Sequence, residues 1–102
     1  MDAPDDRNFA DYPESISEKK SDADGGNAAL MKPRDALILA LRRVDSGELS
    51  EVDAIVICVR QNPADKPGVT NTHYFNCSPD ISVALGMLAE VQWVIRYEAG
   101  EV

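Results

Sequence analysis

Residues 80–98 read as a single helix that is apolar over more of its circumference than a chain of this size can cover. Ile81, Leu85, Leu88, Val91 and Ile95 recur at helical spacing and form one stripe. Val83, Met87, Val94 and Tyr97 form a second stripe beside it, with Trp93 between the two. A helix that is apolar nearly all round must be buried on several sides. The remainder of the sequence supplies little to bury it, so the helix predicts a partner, most simply a second copy of the chain. Val83, Met87, Trp93, Val94 and Tyr97 are the residues expected at that oligomer interface.

Charge sharpens the argument. The chain has 102 residues and a formal net charge of −8. Residues 1–32 hold eight acids against four bases, and residues 33–102 hold ten against six. The first segment carries its charge among few apolar residues and the second among many. That contrast predicts a disordered acidic tail over residues 1–30 and a small domain over residues 31–102. A domain of roughly 70 residues has a marginal core unless disulfides or oligomerisation support it. The acidic opening residues lack the basic n-region of a signal peptide, and no apolar run is long enough for a membrane span. The expected location is the cytoplasm, where Cys58 and Cys77 stay reduced, which leaves oligomerisation. Net negative charge argues against direct nucleic-acid binding, which uses Lys and Arg to neutralise phosphates. It suits general solubility, and it also suits binding to a basic protein surface.

The pattern along the chain predicts α+β: helix, β-hairpin, helix, with a small antiparallel sheet packed by the helices. The tail contains one apolar island at residues 9–16, including Phe9, Tyr12 and Ile16, which is expected to be incidental. The first helix is expected over residues 33–45. Pro33 suits its first position, Asp35 its positive end, Arg42 and Arg43 its negative end, and Gly47 its stop. A strand over residues 52–60 is apolar on both alternating faces, as in a strand covered on two sides. Pro67-Gly68 fits a type II turn, and a second strand follows over residues 70–77. With that turn as the hairpin tip, Cys58 is expected opposite Cys77. Ser78 is expected to cap the last helix, with Pro79 at its first position.

No residue set meets the requirements of known catalytic chemistry. His73 is the only histidine, and Cys77 lies about 13 Å from it along a strand. Cys58 sits in an apolar run where a thiol is inert. The two cysteines and one histidine lack the paired spacings of a zinc site, and Gly25-Gly26 lacks the context of a phosphate loop. No enzyme activity, metal or cofactor is expected. Asp45, Glu48, Glu51 and Asp53 read as a solvated connector. The most suggestive polar set lies at the hairpin end. Arg60, Asn71, His73 and Tyr74 combine bidentate hydrogen-bonding groups with rings that stack on a flat ligand. They are the candidate ligand-binding residues for a small nucleotide captured at a dimer interface.

The segments at residues 36–49, 55–60 and 73–76, together with the last helix, resemble small accessory proteins encoded by bacteriophages and prophages. Those proteins share the order helix, D-x-G stop, apolar strand, aromatic strand, then a helix rich in Ala, Leu and Gly. The likeness covers roughly residues 33–97 and carries over no functional residues. It implies a phage accessory protein that disables a component of bacterial immunity by binding a host protein complex. The sequence thus supports two functions: stoichiometric inhibition by protein binding, and sequestration of a nucleotide signal.

Overall fold

The computed structural model describes residues 8–101 and is α+β. It divides into two compact units, residues 1–51 and 52–102.

The first unit, in its described part, contains α1 (Ile16–Ala23), a short 3-10 turn (Ala28–Leu30) and α2 (Pro33–Asp45). α2 has the expected limits. Pro33 opens it, Asp35 lies in its first turn and Arg42 and Arg43 in its last. Gly47 adopts φ 83°, and the Leu49 N–H closes the end by donating to the Arg43 carbonyl at 3.0 Å. That left-handed residue is the reason a glycine stands there.

α1 corrects the expectation of disorder across residues 1–30. Residues 1–7 of that expected tail lie outside the described residues. Ser15 caps the helix by accepting from the Glu18 N–H at 3.1 Å. The face it buries is polar: Ser17, Glu18 and Ser21 are enclosed while Ile16 is largely exposed. Ser17 Oγ donates to Asp35 at 2.6 Å and accepts from the Lys32 N–H at 3.1 Å. Ser21 Oγ donates to the Asn27 carbonyl at 2.9 Å. Glu18 pairs with Arg42 of α2. Composition alone reads such a helix as tail, because its docking uses hydroxyls and an ion pair in place of apolar bulk. The apolar island is also placed: Phe9 stacks on Tyr12 with ring centroids 5.2 Å apart, and the Phe9 N–H donates to Asp45 at 2.7 Å.

The second unit is β1 (Ile55–Gln61), β2 (Asn71–Cys77) and α3 (Ile81–Glu98). The strands pair antiparallel, with Ile55 opposite Cys77, Cys58 opposite Tyr74 and Gln61 opposite Asn71. The register therefore differs by three residues from one that sets Cys58 against Cys77. Pro67-Gly68 does form a turn, with the Val69 N–H donating to Lys66 at 3.1 Å and Gly68 at φ 82°. A second turn precedes it, in which the Lys66 N–H donates to the Pro63 carbonyl at 3.2 Å. Two consecutive turns lengthen the loop and shift the pairing. An odd shift reverses which residues share a face, so Cys58 and Cys77 lie on opposite faces and both are free thiols.

α3 begins two residues later than the Ser78 cap predicts. Asp80 is the cap, and its carboxylate accepts from the N–H groups of Ser82 and Val83 at 2.8 and 3.2 Å and from the Ser82 hydroxyl. A carboxylate serves two orphan donors at once and meets the positive helix end with full charge. These bonds, that from the Ser82 hydroxyl foremost, hold the Asp80 carboxyl below its ordinary 3.8. A carboxyl depressed in the folded state stabilises the fold above its ordinary value, and that contribution disappears as pH falls through the folded value. The first turn of α3 is therefore expected to fray as pH falls below about 4. Hydrogen exchange at Ser82 and Val83 should show this in the native chain and should lose its pH dependence in Asp80→Asn. Retained pH dependence in that variant would place the titrating group elsewhere.

The second unit closes very little apolar surface. Among the described residues, Ala84 of α3, 4% exposed, is its only fully buried hydrophobic residue, with Val83 and Met87 half-buried beside it. α3 packs on β1, yet Ile55 and Val59 of that strand remain exposed. The double coverage expected of β1 is not supplied within the unit.

Candidate functional site

The hairpin separates the four candidate ligand residues. Opposed residues of an antiparallel pair project to the same face, and successive residues alternate. Arg60, paired with Thr72, therefore shares a face with Tyr74, which is paired with Cys58. Asn71 and His73, paired with Gln61 and Val59, occupy the other face. His73 Nε2 is 3.1 Å from Gln61 Oε1, so its ring is engaged with its neighbour on that second face. Within one copy, Arg60 and Tyr74 do not converge with Asn71 and His73 on a single ligand.

The surface the second unit does assemble is apolar and aromatic. Trp93 and Tyr97, one turn apart on α3, stack with ring centroids 5.4 Å apart and planes inclined by 14°. Both are exposed, as are Tyr74 and Phe75 on the hairpin and Val94 on α3. Of the five residues expected at an oligomer interface, Trp93, Val94 and Tyr97 are available on the surface, whereas Val83 and Met87 are partly used inside the unit. The stripe Ile81, Leu85, Leu88, Val91 and Ile95 is exposed along its whole length. The helix thus turns its shorter set of side chains toward its own unit and leaves the longer stripe open.

The acidic residues sort differently. Asp45, Glu48, Glu51 and Asp53 do not form a site; Asp45 accepts from Phe9, and Glu48 lies 3.8 Å from Arg43 at the surface. A tighter group lies along α1, where carboxylate oxygens of Glu14, Glu18 and Asp22 fall within 4.8 Å of one another. Glu18 and Asp22, four residues apart, share one face of α1, and Glu14 stands just before its Ser15 cap. That signal was present in the sequence, but it carries meaning only once α1 is known to be helical. A cation already serves this group, because the Arg42 guanidinium pairs with Glu18. A hydrogen bond with Asp22 raises the Glu14 carboxyl above its ordinary 4.5, with burial and the Glu18 charge acting in the same direction. The group is a packing device between α1 and α2.

Among the described residues no helix is long and apolar enough to cross a membrane. No protein-family model matches the sequence, and no curated protein or solved structure is significantly similar to it.

Proposed function

We propose that this chain is a non-enzymatic accessory protein of the phage type, active as a homodimer, that inhibits a component of bacterial immunity by binding it stoichiometrically in the host cytoplasm. The observation that carries the reading is the exposed aromatic set of the second unit. Trp93 and Tyr97 form a stacked pair on α3, Tyr74 and Phe75 stand on opposite faces of the hairpin, and among the described residues only Ala84 of the unit's hydrophobic residues is fully buried. Aromatic anchors of this kind carry most of the energy of protein interfaces. The same unit holds six acids against three bases, which favours a basic partner surface and gives binding that weakens with salt. Nucleotide capture is less well supported, because its four candidate residues divide between two faces of the hairpin.

The test is a titration. Cells that carry an active phage-defence system and express this chain should regain sensitivity to phage. With purified components, inhibition of the defence complex should saturate at a fixed ratio of chain to target. Trp93→Ala is expected to weaken inhibition about 30-fold, the loss typical of an interface anchor, with the helical content unchanged. Full inhibition at a small fraction of the target concentration would reveal turnover and overturn stoichiometric binding. Inhibition unchanged in both Trp93→Ala and Tyr97→Ala would remove the aromatic surface from the account.

A further inference from the structure

We propose that two copies of this chain pair through α3, antiparallel, across a two-fold axis at Leu88, using the stripe Ile81, Leu85, Leu88 and Ile95. The inference rests on the reading of the second unit as a binding surface, and it separates the self-contact from the aromatic surface that meets another protein.

The spacing of the stripe is the first argument. Ile81, Leu85, Leu88, Gln92 and Ile95 follow one another by four, three, four and three residues. That is the seam of a helix pair in which side chains of one helix fill holes in the other. The seam extends about 21 Å along the axis. Ile81, Leu85 and Ile95 are 62%, 60% and 59% exposed, so the hairpin–α3 unit itself does not fill this seam. Flanking Ala89 is small and permits close approach of a second helix.

Area is the second argument. A standard interface buries about 800 Å² on each partner, of which roughly 450 Å² is apolar. The stripe with Val91 presents apolar surface on the order of 400 Å². A match of this size suits a second copy, which doubles the stripe on itself in an isologous contact.

Charge and shape choose the direction. In an antiparallel pair centred on Leu88, Ile81 of one copy lies level with Ile95 of the other, and Arg96 lies level with Asp80. Arg96 is the only base on α3, and Asp80 with Ser82 forms the polar cluster at the opposite helix end. A parallel pair would set Arg96 against Arg96 and align the two helix dipoles unfavourably. A hollow of about 440 Å³, lined by Leu88, Val91, Gln92, Ile95, Arg96 and Glu101, lies along the C-terminal half of the stripe. The antiparallel alignment brings Ile81 and Leu85 of the second copy to this hollow. Gln92 is the single polar residue of the seam, the type of position that fixes register and strand number in paired helices.

The experiment uses the full chain at micromolar concentration. Native mass spectrometry should show a dimer, and Leu88→Arg should raise its dissociation constant at least 100-fold. Gly86→Ala lies off the stripe, and a Cβ there meets nothing within 4 Å; it should keep the dimer and preserve the fold as a control. Direction is read by oxidative cross-linking in a Cys58→Ser, Cys77→Ser background. Ile81→Cys mixed with Ile95→Cys should form a mixed disulfide, and Ile81→Cys alone should not link to itself. A monomeric native chain, a dimer indifferent to Leu88→Arg, or self-linking of Ile81→Cys would each overturn the proposal. Loss of the dimer in Leu88→Arg, with Trp93→Ala losing inhibition while keeping the dimer, would support both assignments. A monomer that still inhibits stoichiometrically would overturn the helix pairing and leave inhibition by binding standing.

Discussion

Ala84→Leu is expected to destabilise the hairpin–α3 unit by about 1–3 kcal/mol, the range for forcing extra methylenes into a closed site. Among the described residues, Ala84 is the one hydrophobic residue this unit fully encloses, so it is the point at which α3 has no room to relax. Gly86, two residues along the same helix, is the contrasting position. A Cβ at Gly86 enters open space, and Gly86→Ala is expected to stabilise the helix by about 0.5–1 kcal/mol. Trp93 is the only tryptophan and lies in this unit, so urea unfolding followed by its fluorescence reads the unit directly. Protein concentration must be held constant, because association adds to apparent stability. A neutral Ala84→Leu would mean that the site is open and that α3 does not rest on it.

The second large effect is expected in the first unit. Glu18→Ala should lower the thermal midpoint of that unit by about 5 °C or more. Glu18 is 5% exposed and pairs with Arg42, whose Nη1 is buried without a hydrogen-bond partner among the described residues. Removing the carboxylate leaves the largely enclosed guanidinium without its hydrogen-bonding partner, with only the more distant charges of Glu14 and Glu48 near it. Breaking one side of an enclosed pair is far more damaging than replacing both sides with apolar groups. The double variant Glu18→Leu, Arg42→Met is therefore expected to recover most of the lost stability. Hydrogen exchange along α1 and α2 measures both variants. If the double variant proves no more stable than Glu18→Ala, the pair is not the link between the helices.

Several elements were legible in the sequence because their causes are local. Pro33, the basic last turn and Gly47 set the limits of α2, since helix ends depend on groups within a turn of them. Pro67-Gly68 marked a turn for the same kind of reason. α3 was visible as a long apolar helix, and its surplus of apolar surface is present in the structure as an exposed stripe. The cap of α3 was misplaced by two residues because Ser78 and Asp80 are both competent caps. Asp80 prevails by serving two N–H groups and the Ser82 hydroxyl together.

Other elements depended on contacts between distant residues. α1 has the composition of a tail, and it becomes a packed helix through Ser17 with Asp35 and Glu18 with Arg42. No local pattern announces a bond across 18 or 24 residues. The hairpin register depended on a second turn at residues 63–66, and that shift moves Arg60 from the face of Asn71 and His73 to that of Tyr74. By itself the sequence determined α2, the two strands, the Pro67-Gly68 turn and α3, because hydrogen-bonding neighbours and side-chain periodicity act over a few residues. Only the tertiary structure decided which faces close and which stay open. Burial is a property of whole faces in space, and a shift of one or three residues moves every side chain on a strand to the other side.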